Sequence, residues 1–442
     1  MQRRVEAAGR QEGNVRDSTR RTFAAGIAAG SAASAWSSPL SQGANDRVRV
    51  GLIGCGGRGR GLWRTFLSKS GVEPVAACDV YEPFLSRAVG ASEGKAMPFR
   101  DFRHLLDRKD IDAVIIASPD HWHALHTVMA CRAGKDVYVE KPLCLMPHEG
   151  RAMVTAARRY NRVVQVGSQQ RSGAHYAHAI ELIRGGAIGA VHHITTHWTR
   201  NMMPGFRPVE IGSALPPTLD WDLWLGPAPK VAFDPFRCIY NYRWFRSYSG
   251  GQMTNWGAHS LDIARWALDA KAPDAVASFG ARFVLNDGGE TPDVQQTIYS
   301  FPGCVVSWVS REASAGNTTL LDFHGTKGTM TLTREGFSVA PEIWTGAGAN
   351  GKDPAMEPLK ELGGDLDSSH IDNFLACVKS RRRPNADIEE GHRTAVMCQL
   401  GNAAMRTGRV LRWDPEAEVV IGDAEANAAL RWDYRKPWTL AE

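Results

Sequence analysis

Residues Gly54-Cys55-Gly56-Gly57-Arg58-Gly59 space three glycines as G-x-G-x-x-G, and an acid, Asp79, stands 20 residues beyond the last of them. Capture of a dinucleotide pyrophosphate is the chemistry this spacing fits. Gly54 permits a tight turn, Gly56 lets backbone N–H groups approach the phosphates, and Gly59 allows close helix–strand packing. Gly57 and Arg58 belong to the same loop. Asp79 is placed to accept hydrogen bonds from the adenosine ribose hydroxyls. Val80 and Tyr81 follow it, so no adjacent cation is ready for a 2′-phosphate, and NAD is expected in preference to NADP. A glycine motif alone is weak evidence. This one closes a strand, opens a helix and sits in a βαβ unit.

Other reactive side chains need more context. His121, His123 and His126 follow a strand within the same half of the chain and read as cofactor contacts rather than metal ligands. His192, His193 and His197 lie on a strand, where neighbouring positions face opposite sides, so no metal is expected there. The eight cysteines include no C-x-x-C pair and read as small hydrophobes.

The elements that must hold these residues alternate. Val48–Ile53, Pro74–Cys78, Ala113–Ala117, Val137–Val139 and Val163–Val166 are short apolar runs separated by helical stretches, including one over His123–Arg132 that stops at Gly134. That alternation predicts a parallel sheet covered on both faces. Beyond Ser168, Val191–Trp198, Ala275–Leu285, Gln295–Phe301, Val305–Arg311 and Thr329–Thr333 are longer and alternate in polarity, as in an antiparallel sheet with one open face. Helices are expected over His370–Ser380 and Glu390–Thr407. Long loops at 203–230 and 345–365 are expected to shape a substrate pocket.

The net charge of +5 is concentrated at the start: residues 1–35 carry six arginines against three acids, a net of +3. The remainder is nearly balanced, which excludes a nucleic-acid footprint. Arg20-Arg21, a weakly apolar run over 24–35 and the small residues Ala33-Ser34-Ala35 read as a twin-arginine (Tat) export signal over 1–45, too short and too mild to insert stably in a membrane. The expected location is therefore the periplasm, or the cytoplasm if the tail is only a basic extension. Outside the membrane no nucleotide pool recycles an exchanged cofactor, so the dinucleotide is expected to stay bound.

Glu140-Lys141-Pro142 closes the fifth strand. With Ser118-Pro119-Asp120-His121-Trp122-His123, Gly167-Ser168-Gln169-Gln170-Arg171-Ser172 and Gly250-Gly251-Gln252-Met253-Thr254-Asn255-Trp256-Gly257-Ala258-His259, it resembles the Gfo/Idh/MocA family of sugar and polyol oxidoreductases, and an exported branch of it, from Val48 to the C-terminus. The resemblance implies an α/β chain: a Rossmann domain over 46–168, then an α/β domain over 169–442 whose large, mostly antiparallel open sheet mediates a homo-oligomer, a dimer or tetramer. It implies nicotinamide-dependent chemistry on carbohydrate hydroxyls. It extends the cofactor site to Ser118, Pro119, His121, His123, Glu140 and Gln169. Lys141 matches the family's active-site lysine and His259 the histidine of its D-x-x-x-H pattern. Asn255 stands where that pattern has Asp. Asn cannot ionise, so it orients a hydroxyl without relaying a proton.

On this reading His259, with an ordinary pKa of about 6.5, is the general base. Lys141 is its electrostatic partner, or a second base if burial lowers it from about 10.4. Asp262, one turn on, is a candidate to orient His259, though a surface carboxylate is an equal reading. Arg171, Arg243, Trp244 and Trp256 are substrate-side candidates, since guanidinium groups and indole faces suit sugar hydroxyls and rings; for the tryptophans, core packing remains open. Two enzymatic functions follow, beside a non-catalytic binder. One is an NAD-dependent oxidoreductase of sugar or polyol hydroxyls. The other is a glycoside hydrolase or lyase that passes through a transient 3-keto sugar without net redox, with Tyr240, Tyr242 or Tyr248 taking the C2 proton.

Overall fold

The computed structural model describes residues 47–208 and 210–440; the export signal expected over 1–45 lies outside them. Six strands, β1 (Val48–Ile53), β2 (Val72–Cys78), β3 (Met97–Phe99), β4 (Ala113–Ile116), β5 (Asp136–Val139) and β6 (Val164–Val166), form a parallel sheet in the order β3-β2-β1-β4-β5-β6. β4 and β5 are buried at every position, as strands covered on both faces must be. Strand order reverses between β1 and β4. Their connections leave on opposite sides there, which opens a crevice at the carboxyl ends. β3 escapes a sequence reading because it is an edge strand of three residues with a proline at its centre.

A second sheet holds ten strands: β7 (Val191–Asn201), β8 (Ala275–Ala281), β9 (Val294–Phe301), β10 (Cys304–Arg311), β11 (Ala313–Gly325), β12 (Gly328–Thr333), β13 (Gly336–Pro341), β14 (Leu359–Leu362), β15 (Leu411–Asp414) and β16 (Val419–Val420). Their order is β14-β13-β12-β11-β7-β10-β9-β8-β15-β16, and β7 with β10 is the parallel pair in an otherwise antiparallel sheet. Alternation sends Tyr299, Phe301, Val306, Trp308 and Phe323 inward, against the helices Ala174–Arg184, Ala258–Leu268 and Ile388–Thr407. Ile298 and Val305 on the same strands point outward. β8 ends at Ala281, short of the expected Leu285, because the N–H groups of Phe283, Val284 and Leu285 are all taken by the Asp293 carboxylate instead of a ladder.

The chain after residue 169 also covers the first sheet. Ile371 and Phe374, on the helix Leu366–Ser380, pack against Phe66 and Tyr138 on one face; Ile388 and Ala395 join the hydrophobic cluster on the other. This return holds Asp367 beside the glycine loop. All eight cysteines are buried free thiols. Among the described residues no helix is long and apolar enough to cross a membrane.

Candidate active site

The glycine loop divides by function. Gly54 has φ +90°, and a Cβ there would lie 2.5 Å from the Ser118 nitrogen; a Cβ on Gly59 would lie 1.9 Å from the Gly54 oxygen. Both glycines are required by the protein's own packing. A Cβ on Gly56 would meet only the Phe84 ring, at 3.6 Å, and one on Gly57 would meet nothing within 4 Å. That open space is where a pyrophosphate fits. The helix Gly57–Leu67 begins there without a side-chain cap or an acid in its first turn, so its free N–H groups and positive dipole end are available to an anion.

Asp79 closes β2 and ties the loop down. One carboxylate oxygen accepts from the Cys55 N–H (2.7 Å), the other from the Tyr81 N–H (2.8 Å), and both keep lone pairs for ribose hydroxyls. Burial raises its pKa to about 6, against the lowering effect of those N–H donors. Arg58 does not hang free over the phosphates. Its guanidinium bridges Glu140 (2.7 Å) and Asp367 (2.9 Å) and so braces the loop against β5 and the returning helix. Glu140 also accepts from the Lys141 N–H, and Gly167 leaves room for it, since a Cβ there would come within 2.7 Å of its carboxylate.

A cavity of about 580 Å³ runs from this loop across the ends of β1, β4 and β5. Ser118, Pro119, His123, Glu140, Lys141, Tyr240, Tyr242, Arg243 and Asn255 contribute to its walls. The His123 ring lies between two carbonyl acceptors, Pro142 O (2.7 Å) and Ser118 O (2.9 Å), and so clips the β4 and β5 loops together. His121 and Gln169 correct the sequence reading, because neither reaches the cavity. His121 is buried behind the wall, on Trp224 O and against the Tyr248 ring, and Gln169 is buried in the 3-10 turn that follows β6. His126 stacks on Trp122 and bonds Ser118 at the cavity edge.

At the inner end Lys141 donates to both the backbone oxygen (2.9 Å) and Oδ1 (2.7 Å) of Asn255, leaving one N–H for a ligand. Asn255 sits in a π-helical turn over Met253–Gly257 at the start of the helix Ala258–Leu268; such turns reset backbone carbonyls out of the α-helical ladder. Burial, opposed by Glu140, lowers the Lys141 pKa to about 8. His259 lies one turn on, is buried and, unlike Lys141 and Asn255, does not line the cavity wall. Its Nδ1–H donates to Gln170 Oε1 (2.8 Å), which leaves the lone pair on Nε2. Burial and then the Lys141 charge hold this histidine well below its ordinary range, so the ring is neutral.

Several expectations change here. Asp262 does not orient His259: its carboxylate is spent on Arg171 (2.7 and 2.9 Å) and Thr394, and Gln170 takes the orienting place. Arg171 is accordingly a buried structural cation, 6% exposed, and not a substrate ligand. Trp244 is 1% exposed, its indole N–H on Glu312; the core-packing reading holds for it. Trp256 is off the cavity wall, stacked on Trp198 with the Arg334 guanidinium over its ring. Arg243 is on the wall, its guanidinium held over the Tyr240 and Tyr242 rings. Tyr248 is buried away from the cavity. The 203–230 loop supplies Leu223 and Trp224 to the rim, whereas 345–365 runs past the far edge strands and adds nothing to the wall. Asp120, which accepts from the Tyr242 and Ser249 hydroxyls (3.1 and 2.6 Å), escaped attention as a wall residue. Gln252 and Glu312, buried and off the wall, were not expected at the site either. Gln252 stands three residues before Asn255 in a motif already singled out; Glu312 has no local signal.

A doubly wound dinucleotide-binding sheet, its crevice lined by a half-buried lysine, with a second, open and mostly antiparallel sheet beyond it, defines the fold of the nucleotide-binding oxidoreductases. Sequence comparison narrows this. Residues 48–168 match "Oxidoreductase family, NAD-binding Rossmann fold", residues 230–331 "GFO/IDH/MocA C-terminal domain" and residues 354–440 "Oxidoreductase family, C-terminal alpha/beta domain". The chain carries the domains of the Gfo/Idh/MocA oxidoreductase family.

A glycosyl hydrolase family 109 protein of Shewanella sp. (strain W3-18-1) is 33% identical over 156 residues, 34% of this chain and 34% of its own length. The chain thus matches about a third of the length of such curated relatives. Two solved structures share the fold. The aldose-aldose oxidoreductase from Caulobacter crescentus, complexed with glycerol, aligns with a TM-score of 0.65 at 21% identity, over 83% of this chain and 99% of that one. The WlbA dehydrogenase from Bordetella pertussis, in complex with NADH and UDP-GlcNAcA, aligns at 0.63 and 19%, over 83% and 99%.

Proposed function

We propose that this protein is an NAD-dependent oxidoreductase acting on a hydroxyl-bearing carbon of a sugar, polyol or related carbohydrate, with its nucleotide tightly bound. The observation that carries this is Lys141, half-buried at the inner end of the cavity, held by Asn255 and left with one N–H to offer. When bound, the nicotinamide supplies the hydride acceptor or donor. Lys141 binds the substrate oxygen and stabilises negative charge that develops on it. His259, neutral and carrying its lone pair on Nε2, takes the hydroxyl proton. Tyr240 and Arg243 bind further hydroxyls at the wall, and Asp79 with the Gly56–Gly57 backbone holds the nucleotide, NAD before NADP.

A second reading is a glycoside hydrolase or lyase that oxidises C3 transiently, eliminates the C2 proton with the C1 substituent, adds water in the hydrolase case, and returns the hydride to C3. The glycosyl hydrolase relatives favour it, as does Tyr242 on the wall against Asp120. One experiment separates the two. The protein as purified is incubated with assorted glycosides while reduced-nicotinamide absorbance and aglycone release are followed together. NADH accumulation, or reduction of an added second sugar, supports the oxidoreductase; release without net NADH supports the hydrolase. Silence in both channels, with nucleotide bound, leaves a binder. We further propose Tat export to the periplasm and assembly through the open face of the second sheet.

A further inference from the structure

Lys141 faces an uncharged amide where a carboxylate would be the simpler counter-ion, yet a carboxylate does stand at the end of the same line of hydrogen bonds. Asn255 Oδ1 accepts from Lys141 (2.7 Å), Asn255 Nδ2 donates to Gln252 Oε1 (3.0 Å), and Gln252 Nε2 donates to Glu312 Oε1 (2.7 Å). Glu312 sits between β10 and β11, 0% exposed, with both oxygens at 2.9 Å from the Trp244 indole nitrogen.

We propose that Glu312 is a positioning residue for Lys141, its carboxylate fixing the two intervening amides so that Asn255 turns its oxygen toward the ammonium. The direction follows from donor chemistry. A carboxylate only accepts, so Gln252 must present its NH₂ to Glu312 and its oxygen to Asn255. Asn255 must then present its own NH₂ to Gln252, which leaves only Oδ1 for Lys141. Reversing either amide would place two donors or two acceptors face to face in a buried site, an arrangement that low dielectric makes costly. The indole N–H, a donor only, holds Glu312 in place, with Arg282 Nη1 at 3.9 Å. Burial lifts the Glu312 carboxyl to about 7, against the donors Trp244 and Gln252. A proton there would remove the reason for this orientation. Neighbouring charges act on the two ends as well: Glu140, Arg243, Asp120 and Arg58 on Lys141, and Arg282 and Asp287 on Glu312, while His259 faces Lys141 as a neutral ring.

The inference rests on Lys141 being the active lysine, but its test does not need turnover. Competitive acetylation of Lys141 with acetic anhydride, read by mass spectrometry from pH 6 to 11 on the purified full chain, reports the neutral amine fraction directly. Glu312→Gln removes the charge with the shape kept, and Gln252→Met breaks the line at its midpoint. Each is expected to raise the amine fraction at neutral pH severalfold, up to about tenfold, a shift of as much as one pH unit. The double variant should shift no further than the larger single one, because both act through one line. Thermal melts establish that each variant is folded, and Gln252→Met decides the matter if Glu312→Gln does not fold. Titration curves that superimpose on the wild type in the folded variants overturn the proposal. Failure of the functional reading looks different: a Lys141→Met variant that keeps turnover removes the catalytic role, while the shifts in the Glu312 and Gln252 variants persist.

Discussion

At the scale of single residues, the site turns on which of two nitrogens holds the proton. Lys141 is lowered to about 8, by burial first, and His259 is held neutral by burial and by Lys141. If Lys141 works as the cation, hydride transfer falls as pH rises through about 8, because the ammonium is lost there, and no rising limb appears near 6.5. If Lys141 were the base, the rate would rise through the same pH. Pre-steady-state nicotinamide absorbance against pH settles the sign, and a rising limb would remove our assignment. His259→Ala is expected to slow that step by about 10² to 10⁴ while nucleotide stays bound, the usual worth of a placed general base; full activity in this variant would refute its role. The meeting of Lys141 with Asn255 at the cavity was legible from their motifs. The fate of Arg171 was not, because nothing local shows that Asp262 and Glu390 will surround it. Glu312 was invisible for the same reason, lying 60 residues from Gln252 in sequence.

Among the elements, those with strong local signals lie close to where the sequence places them. β1 runs over Val48–Ile53 and a helix over His123–Arg132, each bounded as expected, because an uninterrupted apolar run and a glycine stop need no tertiary partner. β11 and the strands after β12 were missed. β11 opens on small and polar residues, β13 runs from a glycine to a proline, and β14 to β16 have four residues or fewer, so their strand character comes from pairing within the sheet. The π-helical turn that aims Asn255 at Lys141 has no sequence signature either. The glycine loop allows a sharper test at this scale. Gly59→Ala would drive a methyl to 1.9 Å from the Gly54 oxygen, so stability should drop by about 1–3 kcal/mol, with nucleotide binding lost as the loop shifts. Gly57→Ala meets open space and improves helix propensity, so the fold should keep its melting temperature or gain slightly, by up to about 1 kcal/mol. Nucleotide affinity should nevertheless fall, since that space is the phosphate cradle. Melting curves with and without added NAD read both effects, and unchanged affinity in Gly57→Ala would relocate the phosphates.

For the whole molecule, the open face of the ten-stranded sheet and the proposed retention of the nucleotide raise separate questions. Ile298 and Val305, on adjacent strands and pointing away from the core, are 44% and 41% exposed, an apolar surface that a second copy of the chain would cover. Ile298→Glu with Val305→Glu should convert an oligomer to monomers in sedimentation without releasing nucleotide. A wild-type monomer, or an oligomer unaffected by these charges, would place assembly elsewhere. The nucleotide question reaches further if the proposed export takes place, because export and exchange are incompatible. A cofactor loaded before export must be returned to its starting redox state in each cycle, whichever carbohydrate is bound, since outside the membrane nothing replaces it. The cavity then has to serve two half-reactions, either two sugars in turn or two stages of one. The expected outcome is that NAD co-purifies with the protein, survives dialysis, and is reduced and reoxidised within a single turnover, so that NADH rises transiently in stopped flow and decays without added NAD. Protein that purifies empty, or that turns over only when free NAD is supplied and then accumulates NADH, would make this an ordinary exchanging dehydrogenase and would count against both retention and export.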